Sequence, residues 1–107
     1  MRRAACLVAA LVVWACQAGS PPAATRFEAH DAGRFRFTAP ADAARPVADP
    51  QAEHARRRWL EQHLAARKLC PDGYRLDSRV ALDQNTGLVR QVGVGTYDVV
   101  YEGRCAG

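Results

Sequence analysis

Cys70-Pro71-Asp72-Gly73-Tyr74-Arg75-Leu76-Asp77-Ser78-Arg79-Val80-Ala81-Leu82-Asp83 holds a helix end, a turn and a strand in one stretch. Pro71 disfavours helical geometry at Cys70 and Gly73 follows, so a helix arriving from the N-terminal side stops here. From Tyr74 the residues alternate: Tyr74, Leu76, Ser78, Val80 and Leu82 against Arg75, Asp77, Arg79, Ala81 and Asp83. That period of two predicts a half-buried strand. Gln84-Asn85-Thr86-Gly87 reads as a turn, and Thr96 to Cys105 alternates again, with Tyr97, Val99, Tyr101 and Gly103 on one side and Asp98, Glu102 and Arg104 on the other. Leu88 to Gly95 either extends this hairpin or forms a short strand of its own. Pairing the two long strands antiparallel brings Tyr74 close to Arg104 and Cys105. Cys70 and Cys105 then fall at one edge of the sheet, where a disulfide would pin the helix end to the last strand.

Upstream, Asp49-Pro50 is a helix start, with Asp as N-cap and Pro at the first helical position. The helix should run to about Leu69. At 100° per residue Ala52, Ala55, Trp59, His63 and Ala66 share a face that Leu60 and Leu64 widen. Glu53 and Arg57 form a weak solvent-side pair. Before the helix, Phe27 opens a short strand, Asp31-Ala32-Gly33 is a turn, and Arg34-Phe35-Arg36-Phe37-Thr38 sends its two Phe inward and the rest to water. Pro40, Pro46 and Pro50 punctuate an irregular Ala-rich connection. The predicted fold is α+β: one amphipathic helix packed on a small antiparallel sheet of three to four strands, disulfide-stapled, spanning 26–107.

The first residues do not belong to that domain. Met1-Arg2-Arg3 is a positive start, and Ala4 to Ala15 is an apolar run too short for a bilayer, which needs ~20 helical residues. Residues 1–15 therefore read as a secretory signal peptide. Val13-Trp14-Ala15-Cys16 is similar to the lipobox of bacterial lipoproteins, in which the Cys is lipidated and becomes the first mature residue. Trp14 departs from the small residue expected there. Ordinary cleavage after Ala18 is the rival, with Cys16-Gln17-Ala18 as the small-x-small site. Lipidation of Cys16 is the favoured reading, because residues 16–25 then make a flexible tether. In that resemblance Gln17, rather than Asp, implies an outer-membrane lipoprotein facing the periplasm, acylated with palmitate-type chains.

Export rearranges the arithmetic. The 107-residue chain carries a formal charge of +4, and losing Arg2 and Arg3 leaves +2. With Cys6 discarded and Cys16 acylated or discarded, Cys70 and Cys105 are the two thiols left in an oxidising compartment, where pairing is the default. A redox role is disfavoured by the lack of Cys-x-x-Cys.

Catalytic signals are sparse. His54 and His63 lie about 180° apart on the helix and cannot share a metal. His63, beside Trp59, is expected to be partly buried and hydrogen-bonded, and His30 solvated. No spacing suits zinc, and no cofactor is implied. Ser78 lacks a nucleophile elbow. Asp77 and Asp98 face one side of the hairpin, where solvation is the ordinary state of such residues. Gly93-Val94-Gly95 precedes a strand, so it reads as a bulge or bend and not as a phosphate loop. Arg56-Arg57-Arg58 spreads around the helix as a solvated face. Its sharper reading joins Arg56 and Arg57 to Arg34 and Arg36 (with Arg26 nearby) as an anionic docking surface for lipid head groups, lipopolysaccharide or peptidoglycan. Aromatics interleaved with bases are absent, so nucleic acid is not an expected partner.

Trp59-Leu60-Glu61, Leu69-Cys70-Pro71-Asp72-Gly73-Tyr74 and Tyr101-Glu102-Gly103-Arg104-Cys105 together resemble small uncharacterised proteobacterial envelope lipoproteins, with their Trp-Leu helix, Cys-Pro-x-Gly-Tyr turn and terminal Tyr-x-Gly-Arg-Cys. The resemblance covers about the C-terminal half. It implies an envelope location and a paired Cys70 and Cys105, and transfers no catalytic residue. The expected function is that of a non-catalytic envelope lipoprotein, held to the membrane by the lipid on Cys16, that binds or supports an envelope protein or cell-wall component. The rival is a small periplasmic inhibitor or protective protein acting on a hydrolase.

Overall fold

Asp49 starts the helix as expected. In a computed structural model, which describes Pro22 and residues 24–89 and 95–107, its carboxylate accepts from the Ala52 amide at 2.8 Å and Pro50 occupies the first turn. The expected signal segment, Cys16, most of the expected tether, and Gly93 and Val94 lie outside the described residues. Strands β1 (Arg26–Ala29), β2 (Arg34–Ala41), β3 (Tyr74–Asp83) and β4 (Tyr97–Cys105) surround helix α1 (Pro50–Ala66) in sequence. All pairings are antiparallel and the sheet order is β1-β2-β4-β3. The α+β class and the antiparallel sheet of four strands among the described residues are those read from the sequence.

The helix ends at Ala66, not near Leu69, and Pro71 is not the cause. The Leu69 amide donates to the Leu64 carbonyl at 2.9 Å and the Lys68 amide to Ala65 at 3.1 Å. This pair of bonds is a Schellman cap, in which the residue after the C-cap turns left-handed. Here that residue is Lys68, at φ 56°. A side chain in this region costs about 1–2 kcal/mol that glycine does not. Lys68→Gly should therefore stabilise the domain by about 0.5–1 kcal/mol, which for a domain this size raises Tm by roughly 3–5 °C. A melting curve that is unchanged or shifted down would refute the cap assignment.

One face of the sheet carries the core. Phe35, Phe37, Ala39 and Ala41 from β2 and Tyr97, Val99 and Tyr101 from β4 are buried against Trp59, Leu60 and Leu64 of α1. Strand β2 runs through Pro40, which the sequence reading had placed in the irregular connection. Strand β1 reaches only to Thr38 in its pairing with β2. Beyond that point β2 is an edge, where a residue without an N–H is tolerated.

The predicted alternation of β3 fails halfway. Leu76 pairs with Gly103, and Ser78 pairs with Glu102, so Asp77 is an extra residue in a β-bulge. After a bulge the facing of every residue reverses. Ser78, Val80 and Leu82 thus share the outer side with Arg75, while Arg79 and Ala81 turn toward the helix, and Ala81 is buried. Val80, expected inside, is exposed. Val89 returns along the free edge of β3 to bridge Leu82. Cys70 and Cys105 are joined by a disulfide, and the last strand is fixed to the turn that follows the helix.

Candidate functional site

Reversal of β3 places Arg79 beside Glu53 on the helix. Glu53 Oε1 accepts from Arg79 Nε at 3.1 Å, Arg79 Nη2 at 2.9 Å and the Tyr101 hydroxyl at 2.9 Å. The expected solvent-side partner, Arg57, is not the one it takes. Burial pushes the Glu53 carboxyl up, but the bonds from Arg79 and Tyr101 and the charges of Arg79 and Arg56 outweigh it and hold it below its ordinary value. Burial, joined by the neighbouring Glu53 charge, pushes Tyr101 up to about 12. An oxygen already accepting three bonds is not a free general base. It is a tie between helix and sheet.

Arg56 completes this cluster and corrects the docking surface drawn from the sequence. Its side chain is fully buried. Nη1 donates to the Arg45 carbonyl at 3.2 Å, and Nη2 donates to Pro46 at 3.0 Å and Val47 at 3.3 Å. Its Nε makes no hydrogen bond and lies 3.5 Å from Glu53 Oε1. The physical reason is the connection over residues 42–49. Its Arg45 and Pro46 carbonyls already accept from the Asp42 and Asp49 amides, and the planar five-donor guanidinium adds a second bond to each and one to Val47, tying the connection to the helix. Arg79 Nη2 adds a bond to the Val47 carbonyl at 2.8 Å. The sequence did hold the signal: Arg56 falls in the stripe of Ala52, Trp59 and Leu60, where a solvated residue would not belong.

The tie makes stability depend on acid. A carboxyl whose folded value lies below its unfolded one contributes stability that is present above the unfolded value and lost as pH falls through the folded one. The expected loss from Glu53 thus sets in below about pH 4.5. Glu53→Gln should cost about 1–2 kcal/mol at neutral pH and flatten the acid limb of the stability curve. A variant whose acid limb stays parallel to that of the parent would rule Glu53 out as the group responsible.

His63 behaves as expected of a half-buried, hydrogen-bonded residue. Arg67 Nη1 lies 3.0 Å from Nδ1, and Thr25 Oγ1 lies 3.1 Å from Nε2. A guanidinium only donates, so Nδ1 accepts, Nε2 carries the proton, and it donates to Thr25. The Thr25 hydroxyl in turn donates a hydrogen bond to the Pro22 carbonyl at 2.9 Å. Phe27 stacks on the imidazole, with centroids 5.8 Å apart. Burial and the Arg67 charge lower the His63 pKa. This chain of bonds fastens the root of the N-terminal segment to the helix. His54 is exposed, and among the described residues no three of His, Cys, Asp or Glu converge as on a metal ion.

The remaining sequence candidates divide between opposite sides. Arg57 is exposed on the helix, its guanidinium 6.0 Å from the Tyr74 ring. Arg34 and Arg36 are exposed on the sheet face away from the helix, at whose centre Val100 and Thr38, the latter expected in water, are buried. Arg36 lies 3.5 Å from Glu102, and Arg104 lies 3.1 Å from Asp77. Asp98 accepts from Gln84 Nε2 at 3.1 Å. Asp77 and Asp98 share this side, as expected, and each has a neighbouring donor. The four arginines grouped from the sequence therefore form no single surface. Arg34 and Arg36 instead share theirs with Arg75 and Arg104, which the sequence reading had not included.

Comparison with known proteins finds no family model, no curated protein and no solved structure that matches the chain.

Proposed function

We propose that the chain is a non-catalytic bacterial envelope lipoprotein, exported by residues 1–15 and anchored through a lipid on Cys16, whose domain binds or supports another envelope component. The observation that carries this reading is the Cys70–Cys105 disulfide, a bond that persists in oxidising compartments and is rare in the cytosol. The export-type N-terminus, with its positive start and short apolar run, supports the same location. The placement of the polar side chains supports a binding role. Glu53, Arg56, Arg79 and Tyr101 are engaged with one another and with backbone carbonyls, and His63 with Thr25 and Arg67. The outer-membrane destination follows from Gln17 in the lipobox resemblance.

The test is the intact, non-reduced mass of the protein extracted from its host's membranes, with thiol alkylation before and after reduction. A diacyl or triacyl mass on a chain beginning at Cys16 is expected, with alkylation only after reduction. An unacylated chain beginning at Gly19 would overturn the anchor. For the partner, a photo-crosslinking side chain at Ser78, on the sheet face away from the helix, is expected to capture one envelope component that the same probe at Arg58 does not.

A further inference from the structure

Cross-strand register lines up three like charges. Arg104 of β4 stands directly opposite Arg34 of β2 on one side and opposite Arg75 of β3 on the other. All three side chains are exposed on the face away from the helix, since the neighbouring Phe35 and Leu76 point to the core side and Gly103 lies between them. Directly opposed residues of an antiparallel sheet have Cβ atoms about 4.5–5.5 Å apart, and like charges placed so are destabilising. Nearby carboxylates offset the row only in part. Asp77 pairs with Arg104 and Glu102 with Arg36. Arg34 donates only to the Asp31 carbonyl, at 3.3 Å. The Arg75 side chain makes no hydrogen bond or ion pair among the described residues. A cleft of about 400 Å³ opens over the Arg34 and Arg104 part of the row, lined also by His30, Asp77 and Glu102, and Arg75 lies outside its lining.

We propose that Arg34, Arg104 and Arg75 form a binding site for a phosphate group. A row of guanidiniums held at strand spacing presents forked donors in several directions, which the tetrahedral oxygens of a phosphate group satisfy better than the two coplanar oxygens of a carboxylate. The phosphate would lie along the row, with Arg34 and Arg75 as its outer ligands and Arg104 beneath it, shared with Asp77. Asp77 is thus the resident competitor. Its place in the bulge keeps Arg104 engaged when the site is empty. The site gives that face a ligand chemistry without depending on the anchor, so it stands or falls separately from acylation of Cys16.

The test uses the full chain with Cys16→Ser, which cannot be acylated. Two probes separate the sources of phosphate: inorganic phosphate in solution, followed by NMR, and phosphatidylglycerol vesicles compared with phosphatidylcholine. Arg34→Gln with Arg75→Gln should weaken binding about 10–30-fold. The charge-matched pair Arg57→Gln with Arg58→Gln, on the helix, should leave it within about two-fold. Asp77→Asn should tighten it about five-fold by freeing Arg104, a gain that damage to the fold would not produce. Binding of both probes with this pattern marks a site for phosphate from either source, and vesicle binding alone assigns it to a lipid head group. Equal loss from the two charge-matched pairs would reduce the effect to net charge and overturn the site. So would a failure of both probes to bind, or an Asp77→Asn chain that binds no more tightly.

Discussion

Replacing Gly103 by alanine should destabilise the domain by about 3 kcal/mol or more, enough to leave a marginal domain largely unfolded near 37 °C. A Cβ there would lie 2.4 Å from the Arg75 carbonyl oxygen, 2.9 Å from Phe35 Cζ and 3.2 Å from Leu76 Cα. Two of these three neighbours are backbone, and Phe35 is buried in the core, so none moves cheaply. The close approach falls at Arg75 and Leu76, immediately before the bulge at Asp77. The bulge in turn sends Arg79 inward to Glu53 and Tyr101. One absent methyl group therefore connects the register of an edge strand to the tie that holds the helix. Circular dichroism melts of Gly103→Ala check the magnitude. A second variant checks the cause: deleting Asp77 removes the extra residue while keeping Arg79 and Ala81 on the helix side, so it should restore part of the loss when combined with Gly103→Ala. Gly103→Ala melting within about 2 °C of the parent would refute the argument, since such a shift is worth well under 1 kcal/mol in a domain of this size.

The sequence made some of this legible and hid the rest for definite reasons. Asp49-Pro50 and the two cysteines carry local chemistry that few arrangements satisfy, so the helix start and the staple could be read directly. Alternation around Asp77 looks unbroken, because Ser78, Val80 and Leu82 continue the apolar or small side of the pattern while Arg79 and Asp83 continue the charged one. The bulge is marked only on the partner strand, by a glycine at position 103 that any turn or bend could also explain. Arg56 was hidden differently. A run of three arginines reads as solvated surface, and the helical stripe that placed the first of them inside carried less weight than the run. The site on the outer face was half visible. Arg34 and Arg36 were recognisable as exposed bases, but Arg75 and Arg104 join Arg34 only once β4 is known to lie between β2 and β3. That order is a property of the whole sheet, and no single segment encodes it.

The disulfide has the next largest effect expected. Closing the 35-residue separation between Cys70 and Cys105 removes enough freedom from the unfolded chain to contribute about 3–4 kcal/mol. Loss of the bond should lower Tm by roughly 15–25 °C, given a few degrees per kcal/mol for a domain this small. The structure adds a local consequence. Cys70 sits at φ 53° between the helix cap and Pro71, and the Gly73 amide donates to the Cys70 carbonyl at 3.0 Å. Without the disulfide, that left-handed residue is held by the Cys70–Gly73 turn, and the corner keeps the Ala106 amide bond to the Gly73 carbonyl, 2.8 Å, and the pairing of Tyr74 with Cys105. Hydrogen exchange at Gly73 and Ala106 should therefore rise more than exchange at Val99 or Tyr101 in the sheet centre. Reduced parent protein and the Cys70→Ala, Cys105→Ala double variant should melt together, because chain entropy counts the crosslink and not the side chains. If the reduced parent instead melts with the oxidised form, the Cys70–Cys105 bond is a bystander and the core alone holds the fold. If the double variant melts far below the reduced parent, packing of the two sulfurs and not the closed loop is what stabilises this corner.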